Sequence, residues 1–501
     1  MLREKAVFSV GALVLREGKS EGYSEVYWIL HGLSPIRVRY QKYRGNTVLH
    51  VFLGEKILSS DVRYGFYNDI LTLRLFLPTK TYRGKSIVEK LALKATRKLV
   101  LKAISDLILE FGEVSYNIVF NYESIIKYIL SRKLKPYGVL DFLVAEHINN
   151  LDKTVNLLSN RVRGVLESLC NEGILTCEGE GYYRVCDNFI SYTLKSPHYT
   201  ISKVSVALTD ILANIMPKLN LDTLLKTIIQ YTPYTTHIYV NPYTKIYITL
   251  PNGSTKPLEW RLREVKLHPI GRLGSSILND IVIAKMAERK VIVKKYREVK
   301  GIKWIPVTLW LGFKENFTPD PLERMARELY AIYTLKSYGI NTPTVHSVDW
   351  HSRVIVRDFI EGSPLSTLIG KTKLPELNKI YYLVGEITAK IHSFGLSIGD
   401  HKPSNIVVSS DYKVFIIDLE QASTKRNPSW DIVEFLSFTA VNAKYKWSII
   451  RELYHSLVKG YLSCGGDISV IEGAFKPKYI RVFTPLVPLN ILVRLKGELK
   501  R

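Results

Sequence analysis

The stretch Asp400-His-Lys-Pro-Ser-Asn405, with Val414-Phe-Ile-Ile-Asp-Leu-Glu420 shortly after it, decides how the C-terminal half of this chain is read. A carboxylate and an amide five residues apart on one loop can divide two tasks. Asp400 faces an acceptor hydroxyl, and Asn405 turns toward a divalent cation. Chemistry at a phosphoryl group asks for little covalent help beyond this: positioned metal ions, an oriented hydroxyl, and cations on the phosphates. Lys402, between the two, supplies a cation. Asp418 ends the apolar run thirteen residues after Asn405, a gap that fits strand–turn–strand and adds a second carboxylate. A polar residue capping an unrelated strand would account for Asp418 alone, but not for this spacing.

Upstream segments fit the same design. Val291-Ile-Val-Lys294 reads as a strand; Lys295 follows directly, but alternation favours Lys294, which then shares a face with Ile292. Before it lies Gly271-Arg-Leu-Gly-Ser-Ser276, where small residues at Gly271, Gly274 and Ser275 let backbone N–H groups approach phosphates. A plain hairpin turn accounts for that loop equally well. Pro321–Lys336 carries apolar residues at helical spacing, with Glu328 mid-helix, 34 residues after Lys294. Val354-Ile-Val-Arg-Asp-Phe-Ile-Glu-Gly362 reads as a buried strand leaving into a short loop. Asp431 caps an apolar helix, and His392 fits a helix leading to the Asp400 loop.

In this order and spacing the segments resemble a protein-kinase domain of about 240 residues, from 258 to 501. More closely they resemble the atypical kinases: the RIO kinases, the small kinase of the KEOPS complex, and the lipopolysaccharide and aminoglycoside kinases. Gly399, not Arg, precedes the loop Asp, and the stretch from Asp418 to Asp431 is too short for an activation loop. Two traits depart from those families: Ile398 stands where they usually carry His, and Lys402-Pro403 is the form of true serine/threonine kinases. The resemblance implies a two-lobed fold that binds ATP and Mg²⁺. Lys294, held by Glu328, clamps the ATP phosphates. Gly271, Gly274 and Ser275 cover them, and backbone from Asp358 to Ile360 holds adenine. Asn405 and Asp418 hold the metal, Asp400 orients the hydroxyl, and Lys402 offsets charge on the transferred group. Arg357 falls where most kinases place an apolar gatekeeper. The activity implied is an atypical serine/threonine protein kinase acting on a protein or on itself. Two alternatives stay open: a small-molecule or lipopolysaccharide-type kinase, and a nucleotide-binding pseudokinase acting as a DNA-associated regulator.

The rest of the chain is less distinctive. Its 501 residues carry a net charge of +24, which favours polyanionic partners, so nucleic-acid or ribosomal contact through the basic N-terminal half is an expectation. No apolar run reaches the roughly 18 residues that span a bilayer, and a cytoplasmic location is expected. The four cysteines match no zinc spacing and read as structural thiols. Residues 1–118 read as an α+β domain, with strands at Val7–Leu15, Glu25–Leu30, Thr47–Phe52 and Ile70–Leu77, then a basic helix from Ser86 to Glu110. Residues 119–190 resemble a winged helix-turn-helix: a helix from Pro136, one from Leu151 to Leu158, one capped by Ser159 and Asn160, and a hairpin turning at Glu178–Gly181. Arg161 and Arg163 stand where groove contacts would arise; a protein-docking role is the alternative. Residues 191–257 read as a connector with helices at Val204–Met216 and Leu221–Ile229 and a hairpin at Thr236–Tyr247. The fold class expected is thus multidomain α+β.

Overall fold

The computed structural model describes residues 4–16, 19–31, 36–43, 46–66, 69–137, 147–196, 241–259, 267–275, 279–297 and 317–499. The described residues form two compact units: those up to 109, 118–196 and 241–247 build the first, and 110–117 with those from 248 onward build the second.

The first unit opens with a mixed sheet of order β3-β4-β2-β1-β5. β1 (Glu4–Arg16) and β2 (Lys19–Leu30) form an antiparallel hairpin. β4 (Asn46–Gly54) runs parallel to β2, with β3 (Arg37–Tyr43) antiparallel on its outer side. β5 (Lys80–Arg83) closes the other edge. The sequence reading missed β3, whose alternating charges are typical of an edge strand. α1 (Glu55–Tyr64) follows β4. Ile70–Leu77, expected as a strand, is instead helix α2 (Ile70–Phe76). A short apolar run buried on all sides carries no usable period, and leucine is a strong helix former. Asp61 fixes the helix start by accepting the Thr72 N–H at 2.8 Å. α3 (Lys85–Phe111) then runs for 27 residues.

In the segment expected as a winged helix-turn-helix, β6 (Ile118–Asn121) leads into α4 (Tyr122–Tyr137). Pro136, read as a helix start, lies in the last turn of α4, and residues 138–146 fall outside the described residues. The two helices expected after Leu151 are one, α5 (Leu151–Asn171). Ser159 does not cap; its hydroxyl donates back to the Asn156 carbonyl at 2.7 Å, which leaves the helix unbroken. α5 ends at Gly173, whose φ of +73° suits glycine. The hairpin β7 (Leu175–Gly179) and β8 (Tyr182–Val185) follows, β8 pairs with β6, and α6 spans Asp187–Lys195. Cys170 and Cys177, read as thiols, are joined in a disulfide between the end of α5 and β7, while Cys186 and Cys464 are free. The helices expected at Val204–Met216 and Leu221–Ile229, and the start of the hairpin expected at Thr236, lie outside the described residues.

After the short strands β9 (Ile246–Thr249) and β10 (Thr255–Pro257), the second unit has two lobes. The small lobe is an antiparallel sheet of order β11-β12-β13-β15-β14: β11 (Leu267–Ser275), β12 (Asn279–Met286), β13 (Arg289–Tyr296), β14 (Val345–Asp349) and β15 (Val354–Asp358). Helix α7 (Pro321–Ser337) precedes β14, and the Asp320 carboxylate caps it by accepting from the Leu322 and Glu323 N–H groups at 3.0 and 2.9 Å. β16 (Ser363–Pro364) and α8 (Leu365–Leu368) carry the chain into the helical lobe. There α9 (Leu374–Ser393), α10 (Ser429–Asn442) and α11 (Trp447–Ser463) enclose a core containing Tyr381, Trp430, Phe435 and Tyr454. The short strands β17 (Ile406–Val408) and β18 (Val414–Ile416) lie between α9 and α10. This is the two-lobed plan of a protein-kinase-like fold. Among the described residues no helix is long and apolar enough to cross a membrane.

Candidate active site

Lys294 is the centre of the site. Its neighbour Lys295 is exposed, whereas Lys294 has no solvent-exposed surface. Alternation along β13 turns Lys294 inward, toward the middle of α7. Its ammonium contacts Glu328 at 2.6 Å, Asp418 at 2.8 Å and Glu420 at 3.0 Å. Burial alone would strip the proton from this amine, but the carboxylates of Asp418, Glu328 and Glu420 outweigh it and hold its pKa well above the lysine range.

Glu328 has two further neighbours. The Tyr296 hydroxyl donates to Oε2 at 2.5 Å, and Arg357 pairs with Oε1 at 2.8 Å. Arg357 is 5% exposed and also donates to the Ile417 carbonyl. The position expected to hold an apolar gatekeeper therefore carries a second cation for the α7 carboxylate. Glu420, two residues past Asp418, accepts from the Asn279 amide at 2.7 Å and faces Arg324 at 3.4 Å. The sequence reading passed over Tyr296, Asn279, Arg324 and Glu420. The one available signal was charge inside apolar segments, at Arg357 and at Glu420.

A second cluster lies on the loop after α9. The Asn405 amide donates to both the backbone carbonyl and the carboxylate of Asp400, each at 2.9 Å, and Lys402 pairs with the same carboxylate at 2.8 Å. Burial lowers the Lys402 pKa, but the Asp400 charge more than restores it, so the net shift is upward. Asp431, at the start of α10, anchors this loop from below. One oxygen accepts from Ile398 N–H (2.6 Å), Ser397 hydroxyl (2.9 Å) and His392 Nε2 (3.0 Å); the other accepts from Gly399 N–H at 2.8 Å. Burial raises the Asp431 pKa, yet the hydrogen bond and charge of His392, the charge of His401 and the Gly399 N–H bring it down to about 2. His401 is held neutral by burial, its pKa lowered to about 4. Gly399 sits at φ +80°, where a Cβ would lie 2.1 Å from the Gln421 carbonyl. The residue before Asp400 must therefore be glycine.

The structure thus brings Lys294, Glu328 and Asp418 into direct contact and joins Asp400, Lys402 and Asn405 in a second group. Gly271, Gly274 and Ser275 do not form a free loop. They lie in β11 opposite Ile283, Ile281 and Asp280 of β12, with irregular register between Pro269 and Gly271 and between Arg272 and Gly274. The Asp358 carboxylate accepts from Thr344 N–H at 3.1 Å and bonds His346 at 2.6 Å, which fixes the exit from β15 toward Ile360. Glu328, Asp418 and Glu420 bring carboxylate oxygens within 4.8 Å of one another. Asn405 donates through its nitrogen, so its amide oxygen is left for a further partner. Such hard oxygen donors suit Mg²⁺.

Fold and site together define a protein-kinase-like domain of the atypical class. A family model described as a RIO domain matches residues 322–437. The KEOPS complex subunit Bud32 of Pyrococcus abyssi is 30% identical over 194 residues, covering 37% of this chain and 87% of that one. A probable serine/threonine-protein kinase BUD32 homolog of Archaeoglobus fulgidus is 28% identical over 156 residues, 30% of this chain and 73% of that one. A probable bifunctional tRNA threonylcarbamoyladenosine biosynthesis protein of Methanosphaera stadtmanae is 30% identical over 95 residues, only 19% and 17% of the two chains. The chain belongs to the Bud32 family of RIO-type atypical kinases through its C-terminal domain.

Proposed function

We propose that this domain transfers the γ-phosphoryl group of ATP to a hydroxyl. The observation that carries the reading is the fully buried Lys294, shared between Glu328 and Asp418. An ammonium shared between two carboxylates can give up one of them to an anionic ligand and remain paired with the other. In this reading Lys294, positioned by Glu328, pairs with ATP phosphates, and the backbone of Gly271, Gly274 and Ser275 lies over them. Asp358 and Ile360 offer backbone groups to adenine. Asp418 and the Asn405 amide oxygen hold Mg²⁺, whose charge screens the phosphates. Asp400 orients the acceptor hydroxyl and takes its proton, while Lys402 offsets charge on the transferred group.

The acceptor is a hydroxyl of a bound protein partner or of this chain itself. The segment after Asp418 favours this over free peptides. Ser423 and Ser397 exchange two backbone hydrogen bonds of 2.9 Å, and the Gln421 side chain bonds both backbone groups of Thr318. A segment tied down in this way offers no extended docking strand. One relative is named as a complex subunit, which supports assembly with other proteins and equally supports a slow ATPase that switches such an assembly. Residues 119–190 remain a proposed winged helix-turn-helix. Its Arg161 guanidinium is buried on the Phe76 carbonyl, and Arg163 stacks on Tyr122 at 4.0 Å, which favours a packing role over groove contact.

The test is transfer of labelled γ-phosphate from Mg-ATP by the full chain, beside Asp400→Ala and Asp418→Ala. Transfer that is lost in both variants supports the kinase. ATP hydrolysis without transfer, dependent on Asp418, supports the switching ATPase. Activity equal in all three proteins refutes the site.

A further inference from the structure

The first unit carries a surface that the phosphotransfer reading does not use. In the sheet β3-β4-β2-β1-β5, Phe8, Tyr27, Ile29, Val51 and Leu53 are buried on one face. Glu25 of β2 points the same way and pairs with Arg74 of α2 at 2.9 Å. The alternate residues face outward, because side chains reverse direction at every step along a strand. On β2 and β4 these include Trp28, His50 and Phe52, with Trp28 level with Phe52 and Val26 level with His50. Trp28 and Phe52 stack with centroids 5.7 Å apart at 17°, and His50 lies 6.5 Å from Phe52 at 25°. All three are only partly buried.

Hydrogen bonds lock this row in place. The Trp28 indole N–H donates to His50 Nδ1 at 3.1 Å, because an indole nitrogen can only donate. His50 is therefore the Nε2–H tautomer and donates to the Gln41 side-chain oxygen at 3.2 Å. The rings form a pre-ordered shelf, with the His50 ring tilted 39° from that of Trp28. Its side chains lose little freedom when something stacks on it.

Both edges of the shelf are basic. On β3, Arg37 lies level with Phe52 and Arg39 with His50, and both are exposed. On β5, exposed Lys80 sits 5.5 Å from the ring of Tyr82, which is 60% exposed and meets the Ser9 hydroxyl of β1 at 3.2 Å. By register the one acidic residue of the described strands on this face is Glu4, opposite Leu30 at the start of β1. An aromatic shelf between two cationic edges matches the chemistry of an unpaired polynucleotide, with bases on the rings and phosphates along the arginines and lysine. A duplex hides its base faces and cannot use the rings. Uncharged Ser24 and Gln41 on the same face offer hydrogen bonds to a ribose 2′-hydroxyl.

We propose that the outer face of this sheet binds single-stranded RNA, stacking bases on Trp28, Phe52 and His50 and pairing phosphates with Arg37, Arg39 and Lys80. The test is fluorescence anisotropy of a fluorescein-labelled 12-nucleotide mixed-sequence RNA with the full chain, at several salt concentrations. Trp28→Ala weakens binding by about 5- to 150-fold, the range for one lost base stack. Replacing Arg37 and Arg39 together by alanine flattens the log–log salt slope by about 1.4, or about 0.7 per phosphate on a single strand. Both arginines are exposed, so the double variant retains the wild-type melting profile and keeps the test valid if Trp28→Ala perturbs the sheet. The proposal is overturned if wild type does not bind at low salt, or if both variants bind as wild type does. It is also overturned if duplex RNA or a single-stranded DNA of the same sequence binds as tightly, or if Trp28→Ala instead dissociates a dimer with RNA affinity intact.

Discussion

Replacing Gly399 by alanine tests how rigidly the Asp400 loop is held. At φ +80° an alanine is strained by about 1–2 kcal/mol even in open space. Here the added methyl would also lie 2.1 Å from the Gln421 carbonyl and 1.6 Å from an Arg426 nitrogen. Arg426 is a side chain and can swing aside, although it gives up its 2.8 Å hydrogen bond to that same carbonyl. The carbonyl cannot move cheaply, because Gln421 is bound through its side chain to Thr318 and lies two residues before the Ser397–Ser423 bridge. Removing the clash therefore moves Gly399 itself, breaks its 2.8 Å bond to Asp431, and shifts Asp400. Strain, one broken charge-assisted hydrogen bond and local repacking add up to about 3–5 kcal/mol. A 1 Å displacement of a positioned carboxylate lowers transfer by about 100-fold. Gly395→Ala is the matched control: its φ is +71°, but a methyl there meets nothing within 4 Å. Urea unfolding of the full chain, followed by far-UV circular dichroism, should place Gly395→Ala about 1–2 kcal/mol below wild type, with phosphotransfer retained. Gly399→Ala should fall further and lose activity. Equal losses for the two variants would refute the claim that the Gln421 carbonyl dictates glycine at 399.

Acid should unfold the helical lobe through two groups. Asp431 has its pKa lowered to about 2, so its contribution is present above about pH 4 and is lost as pH falls toward 2; Asp431→Asn should flatten the stability curve in that window. His401, lowered to about 4, contributes stability above about pH 6.5 that is lost as pH falls toward 4, so His401→Gln should shallow the decline between those values in a pH series of thermal melts. Alkylation of the unreduced, denatured chain should label two of its four cysteines, and peptide mapping should find the label on Cys186 and Cys464 alone. In a double-mutant cycle, Arg357→Met and Glu420→Gln should each destabilise by about 3–5 kcal/mol by leaving a buried charge short of a partner. Their combination should cost less than the sum by more than about 0.5 kcal/mol, and strict additivity would show the two charges to be independent.

Segments whose period matched their environment were legible in the sequence. α7 read correctly from Leu322, Met325, Leu329, Ile332 and Leu335, because a helix with one buried stripe repeats at 3.6 residues. β13 read correctly because Lys294 and Lys295 fall on opposite faces, and only one of them can be buried. α2 was misread because a run that is buried all round has no stripe to detect. α5 was split in two because Ser159 and Asn160 are good caps, and nothing local reveals that Ser159 bonds backward. The disulfide was missed because spacing alone cannot say that the end of a helix returns beside a hairpin strand. At the site, the segments carrying Lys294, Glu328, Asp400, Asn405 and Asp418 could be found by their order along the chain. The contacts of Tyr296, Asn279 and Arg324 could not, since each joins elements that are remote in sequence and lacks a motif of its own.

The two oddities of the sequence, Arg357 in a gatekeeper position and Glu420 after Asp418-Leu419, are intelligible as parts of one charge balance. Around Lys294 lie three carboxylates, Glu328, Asp418 and Glu420. One buried ammonium cannot neutralise three acids. Arg357 on Glu328 and Arg324 beside Glu420 bring the count to three cations against three anions. An unmatched charge in such a setting costs several kcal/mol, so an extra buried glutamate without an extra cation would not persist in a folded chain. The balance also explains why Arg357 keeps its proton. Burial pulls its pKa down, but Glu328 and Asp418 push it further up, so the guanidinium stays a fixed cation beside the α7 carboxylate. With Glu328 held from two sides, α7 does not depend on Lys294 alone for its position. The Lys294 ammonium can then exchange its contact with Asp418 for an anionic ligand without releasing the helix.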